Sequence, residues 1–139
     1  MDDRPSRHEI EVVGAVIVRD GRVLCAQRGP GGSLAGRWEF PGGKVEEGES
    51  GRLALEREID EELRCVVEVG DEIATTRYDD GRVVVVLTTF WCHIVSGTPQ
   101  LTEHTDLRWV PPDELGGLGW APADVPAVDL VAAALLPAG

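Results

Sequence analysis

A chain of 139 residues, 42% of them apolar, is expected to form one domain (1–139) with a modest core, and no apolar run approaches the ~18 residues of a membrane-spanning helix. The net charge of −12, from 25 acidic and 13 basic residues, repels a phosphate backbone and disfavours nucleic-acid binding. It equally repels a free polyphosphate, so bound cations would have to reverse the local sign at any site for one.

In chain order, residues 1–8 are charged and polar and read as a flexible leading segment. Residues 9–19 are rich in Val and Ile and read as a strand, Asp20-Gly21 as a hairpin turn, and 22–27 as the returning strand. The Gly- and Pro-rich stretch 29–36 is a loop, 38–40 a short strand, and Pro41-Gly42-Gly43 a sharp break. Residues 50–63 form the clearest helix, with Ser50 as N-cap. A strand over 65–76, a turn at Asp80-Gly81 and a long β-rich run over 82–95 follow. Within that run Val83–Leu87 is apolar on both faces, as in a central, doubly covered strand. Residues 107–110 read as a last strand and 126–136 as a closing helix with Pro126 in its first turn. Mixed strands with two helices predict an α/β (α+β) fold, a mixed β-sheet sandwiched between helices. Cys25, Cys65 and Cys92 lack CxxC spacing and read as small core residues rather than zinc ligands or a disulfide framework.

The helix carries the chemistry. At 100° per residue, Glu58, Glu61 and Glu62 fall within about 100° of one another, beside an apolar stripe of Leu55, Ile59 and Leu63. Three carboxylates at such spacing repel one another, and a helix built for stability alone would intersperse lysines. Clustered hard oxygens suit Mg²⁺ or Mn²⁺. On the helix alone, a merely solvated acidic face is an equal reading.

The surrounding residues are similar to the Nudix box. Gly43 is followed after five residues by Glu49, and after seven more by Arg57-Glu58-Ile59-Asp60-Glu61-Glu62. With Trp38-Glu39-Phe40-Pro41-Gly42-Gly43-Lys44 in front, the segment resembles the MutT-like branch of that family. Residues 12–28 resemble its opening hairpin. The C-terminal part, with Trp120-Ala121-Pro122-Ala123-Asp124-Val125-Pro126, resembles 8-oxo-dGTP diphosphatases, and more closely their CTP pyrophosphohydrolase relatives. One position departs: the signature's Gly after the Glu-Glu pair is Arg64. Either Arg64 holds the left-handed conformation that Gly tolerates, at roughly 1 kcal/mol, or the helix ends differently.

The resemblance implies a Nudix fold and a hydrolase that converts a (deoxy)nucleoside triphosphate to the monophosphate and pyrophosphate through metal-activated water. It implies Glu58, Glu61, Glu62 and the Gly42 carbonyl as ligands of Mg²⁺, with Mn²⁺ as a substitute, and Arg57 paired with Glu49 to fix the loop against the helix. Glu58 and Glu103 are both candidates for the general base; Glu103 and His104, in the polar stretch Thr102-Glu103-His104-Thr105, are alternatively solvated. Arg28 and Lys44 are phosphate contacts or surface charges. Gly43 lies on the substrate side of the box, Phe40 lines the base pocket, and Tyr78 and Arg82 flank a turn over it or merely pack and solvate.

Asp124 reads the base edge or caps the last helix. An ionised Asp only accepts hydrogen bonds, which suits the N1–H and N2–H₂ of an oxidised guanine nucleotide, whereas the local resemblance favours cytosine nucleotides; both substrates stand. Residues 80–83 carry neither the Pro of ADP-ribose hydrolases nor the Tyr of diadenosine-polyphosphate hydrolases. The rival readings are a hydrolase of nucleotide sugars or ADP-ribose, and a non-catalytic nucleotide-sensing module. A cytoplasmic monomer or homodimer with a small nucleotide substrate, and neither nucleic acid nor membrane as partner, completes the expectation.

Overall fold

The computed structural model describes residues 8–136. The expected flexible segment 1–8 lies outside them except for His8, which opens the first strand instead. The strands are β1 (His8–Arg19), β2 (Arg22–Gln27), β3 (Trp38–Glu39), β4 (Gly42–Lys44), β5 (Val66–Asp79), β6 (Val83–Ser96) and β7 (Asp106–Val110). The helices are α1 (Gly51–Leu63) and α2 (Val125–Leu135), with short 3-10 turns at Pro112–Gly117 and Pro122–Asp124.

The expected hairpin forms. Asp20 and Gly21 take φ of 52° and 74°, the left-handed pair that a two-residue turn requires, and set Val18 opposite Val23. The sheet runs β3-β2-β1-β6-β5, with β4 also on β1 and β7 also on β2. β1 pairs with β6 in parallel along His8–Ile17. Its other edge changes partner, from β4 at Val12–Gly14 to β2 at Val18–Arg19.

Period-two alternation sorts the core. Val13, Ala15 and Ile17 of β1 pack with Leu55, Ile59 and Leu63 of α1, while Val16 packs on the opposite face with Val128 and Val131 of α2. The sheet is thus sandwiched between helices, as expected. Each fully buried Leu or Ile of the α1 stripe contributes roughly 1.5–3 kcal/mol.

Ser50 caps α1, its hydroxyl accepting from the Leu53 amide at 3.1 Å. At the other end Arg64 adopts φ 58° and ψ 36°, and its amide donates to the Asp60 carbonyl at 3.0 Å. Of the two alternatives at this position, the left-handed one holds.

Two local readings need correction. Pro41-Gly42-Gly43 is more than a break: Gly42–Lys44 pairs antiparallel with β1, and the Ala15 amide donates to the Pro41 carbonyl at 2.7 Å. The Val83–Leu87 run is central, between β1 and β5, but not covered by a helix on both faces. Val83, Val85 and Leu87 instead wall a cavity, so their apolar side faces a space a ligand can fill. Among the described residues no helix is long and apolar enough to cross a membrane.

Candidate active site

Arg57 organises the acidic end of the site. Its Nε and Nη2 donate to the two oxygens of Glu49 at 2.7 and 2.9 Å, and Nη2 also reaches the Lys44 carbonyl at 3.1 Å. This is the expected Arg57–Glu49 pair, in bidentate form. Hydrogen bonds from Arg57, and then from the Glu46 amide, pull the Glu49 carboxyl down to about 2. Arg57 does more than pair with Glu49, because its Nη1 also donates to Glu58 at 2.8 Å and to Glu61 at 3.3 Å. Like charges on one helix face are thereby held by a shared cation.

Glu62 is treated differently. Its Oε2 is buried and has no hydrogen-bond partner among the described residues. Burial, followed by the charges of Glu58, Glu103 and Glu39, pushes its carboxyl up to about 8, tempered by the Gly42 amide. A buried carboxyl oxygen without a partner, crowded by other acids, fits a hard divalent cation, whose charge would favour the ionised form.

The two glycines make room here in different ways. A Cβ on Gly43 would lie 2.3 Å from the carboxyl carbon of Glu58, whereas one on Gly42 would lie 1.9 Å from the Val13 carbonyl oxygen. Gly43 thus clears space for a carboxylate, and Gly42 lets β4 lie against β1. Among the described residues no three His, Cys, Asp or Glu side chains converge as a finished metal cage. With Glu58 and Glu61 turned onto Arg57, the donor set is nevertheless all oxygen, the kind a hard divalent ion takes.

A cavity of about 640 Å³ adjoins this end, within the range of small-ligand sites. It is lined by Gly42, Gly43 and Glu62 at the acidic end, by the cations Arg28, Lys44 and Arg82, and by Tyr78, Phe40, Ala123 and Asp124. Phe40 is buried and stacks at 4.8 Å on Trp120, whose indole donates to the Leu115 carbonyl at 2.7 Å. A shallower cavity of about 300 Å³ joins Glu62 to Arg28, Glu39, Glu103 and His104. Glu58 and Glu61 line neither cavity; of the three expected ligands only Glu62 reaches the wall.

Asp124 lines the cavity but departs from the capping alternative. It stands at the N-cap position of α2, yet its side chain makes no capping bond. Its Oδ1 instead accepts from the Phe40 amide at 3.2 Å, across the cavity end. Only 6% of the residue is exposed, and burial pushes the carboxyl up to about 7. Near neutral pH Asp124 therefore populates both its ionised, acceptor-only form and its protonated form.

Glu39 was not singled out by the sequence reading, and His104 is not solvated. Glu39 accepts from Arg28 Nε at 2.7 Å and from His104 Nε2 at 3.0 Å. The one signal in the sequence is a lone charge between two aromatic residues, Trp38 and Phe40, in a strand whose alternate positions are buried.

Residues 12–130 match the NUDIX domain family. The CTP pyrophosphohydrolase of Escherichia coli (strain K12) is 42% identical over 120 residues, covering 86% of this chain and 89% of that protein. The "Putative 8-oxo-dGTP diphosphatase 2" of Mycobacterium tuberculosis (strain ATCC 25618 / H37Rv) is also 42% identical over 120 residues, covering 81% of each. Among solved structures, the DNA mismatch repair protein MutT of methicillin-resistant Staphylococcus aureus 252, a Nudix hydrolase, aligns with a TM-score of 0.78 at 46% identity, covering 93% of this chain and 99% of that one. Box, fold and relatives agree, and the chain belongs to the Nudix hydrolase family, in its MutT-like branch.

Proposed function

We propose that this protein hydrolyses a (deoxy)nucleoside triphosphate to the monophosphate and pyrophosphate, with 8-oxo-dGTP or (d)CTP-type nucleotides as substrates. The observation that carries the proposal is one cavity with an unpartnered carboxylate at one end and an aromatic wall with a buried carboxyl at the other. With a divalent cation between them a triphosphate would suit the acidic end, and its base the aromatic wall.

In this reading Glu58, Glu61, Glu62 and the Gly42 carbonyl would hold Mg²⁺, which Mn²⁺ could replace. When bound, such ions neutralise phosphate oxygens and make water more acidic. Arg28 and Lys44 meet phosphate oxygens along the cavity. The water oxygen adds to the β-phosphorus, and the bond from that phosphorus to the bridging oxygen breaks. The bridging oxygen leaves with the nucleoside monophosphate. Glu103 takes the water's proton, with Glu58 as the competing base. Arg57 and Glu49 brace the helix and loop that present these groups.

Phe40 packs against the base, and Tyr78 and Arg82 close the far side. Asp124 supports two substrates rather than one. Its ionised form, an acceptor, matches the donor pair of an oxidised guanine, and its neutral form, donor and acceptor together, matches N3 and N4–H₂ of cytosine. A carboxyl at about 7 populates both. A monomer or homodimer working in the cytoplasm on nucleotide pools completes the proposal.

The test is pyrophosphate release from 8-oxo-dGTP, dGTP, dCTP, 5-methyl-dCTP and ADP-ribose with Mg²⁺, with Glu61→Gln/Glu62→Gln as the blank. Turnover of 8-oxo-dGTP well above dGTP supports pool sanitation, and turnover of the cytosine nucleotides supports the other branch. No metal-dependent turnover of any of them would return the protein to the role of a nucleotide-sensing module.

A further inference from the structure

We propose that His104 is a positioning residue for the reaction: by holding Glu39 it sets Glu103 against Glu62. The inference rests on the assignment of Glu103 as general base made above.

The loop that carries Glu103 is pinned on both sides of it. The Thr102 hydroxyl donates to the Glu62 carbonyl, the Gln100 amide to the Leu63 carbonyl at 2.9 Å, and the Thr105 amide to the Gln27 carbonyl at 2.9 Å. His104 supplies the remaining tie. Its side chain is 7% exposed, and Nε2 lies 3.0 Å from Glu39 Oε2. Burial alone would raise the Glu39 carboxyl, but hydrogen bonds from His104 and Arg28 outweigh it and hold it below the usual range. Glu39 is therefore an acceptor, and Nε2 carries the proton that it shares.

The other oxygen of Glu39 accepts from Arg28, whose Nη1 donates to the Ser33 carbonyl at 3.0 Å. One carboxylate thus joins the loop bearing Arg28 and Ser33 to the loop bearing Glu103. Between the Thr102 and His104 anchors, Glu103 is left exposed, and its charge is among those that raise Glu62.

Packing alone does not account for this histidine. Nδ1 is buried with no hydrogen-bond partner among the described residues. A phenylalanine would fill a similar volume without burying an unsatisfied nitrogen. The imidazole stabilises the Glu39 tie at a cost to the fold, which is sensible where the tie places a reactive group.

The experiment compares His104→Phe, which loses the donor, with His104→Gln, whose amide can still donate to Glu39. Each is made alone and with Glu103→Gln. Pyrophosphate release from dCTP and from 8-oxo-dGTP at saturating Mg²⁺ yields kcat and KM. Hydrogen exchange at the Thr105 amide reports on the loop in metal-free protein.

Expected for His104→Phe is a kcat lower by roughly 10- to 100-fold with KM little changed, and Thr105 exchange about tenfold faster. His104→Gln should restore both to within about threefold, and in the Glu103→Gln background His104→Phe should slow turnover by less than about twofold. Wild-type kcat in Glu103→Gln alone would sink the base assignment and this inference with it. A slow Glu103→Gln that loses as much again on adding His104→Phe would overturn the inference and leave the assignment standing. So would unchanged Thr105 exchange, or a His104→Gln protein as slow as His104→Phe.

Discussion

Replacing Asp124 by Asn tests whether a buried carboxyl, rather than a carboxylate, faces the cavity. The fold raises this group from 3.8 to about 7, chiefly by burial. In the unfolded chain the proton leaves near 3.8; in the fold it stays until about 7. Across that window the folded state binds more protons, so this group makes stability fall as pH rises, and the effect levels off above about 7. At 1.36 kcal/mol per unit the full effect is ~4 kcal/mol. An isoelectric point near 4.5 makes the acid end impractical, so urea unfolding in EDTA is best run from pH 5.5 to 8.5. Over that range the portion due to Asp124 is ~2 kcal/mol. Glu62 titrates in the same range, but it and Asp124 are not among each other's perturbing charges, so its contribution cancels between the two proteins. Asp124→Asn can keep the bond from the Phe40 amide through its carbonyl oxygen. It should therefore track the wild type at pH 5.5 up to a constant offset and gain ~2 kcal/mol on it by pH 8.5. Parallel stability curves would refute the argument. The variant presents a donor and an acceptor at every pH, so selectivity for 8-oxo-dGTP over dCTP should fall.

Glu62, at about 8 in the fold against 4.5, likewise weakens the metal-free protein as pH rises between those values. Glu62→Gln should raise the melting temperature in EDTA at pH 8.5, lose the stabilisation by Mg²⁺, and lower kcat by at least ~100-fold; calorimetry showing a lower melting temperature would contradict this. The two glycines should separate. Gly43→Ala pushes the flexible Glu58 side chain and costs turnover, roughly 10- to 100-fold, with little change in melting. Gly42→Ala meets the Val13 backbone and costs ~3 kcal/mol in urea unfolding. Arg64→Gly relieves a left-handed non-glycine residue and should stabilise the protein by ~1 kcal/mol at unchanged kcat.

Local chemistry was legible in the sequence wherever a short stretch of chain decides it. The Asp20-Gly21 turn, the Ser50 cap and the apolar stripe of α1 depend on neighbours within about one helical turn or one hairpin, and each stands as read. The spacing from Gly43 through Glu49 to Arg57 also encodes a contact, because a guanidinium fork and a carboxylate eight residues away find each other across one loop. What the sequence could not supply is the environment created by distant segments. Asp124 is a near-neutral acid because burial strips its water, and that outweighs the Phe40 amide, 84 positions earlier, whose hydrogen bond favours the charged form. His104 is a buried partner of Glu39 only because β3 and the loop ahead of β7 both flank β2. Val83 and Val85 wall a cavity rather than sit beneath a helix for the same reason: hydrophobicity specifies that a residue avoids water, while the packing of the whole sheet decides what replaces the water. Residue types and spacing along the chain therefore carried the family resemblance from which the reaction class follows, while desolvation by segments remote in sequence decided the protonation of Asp124 and the burial of His104.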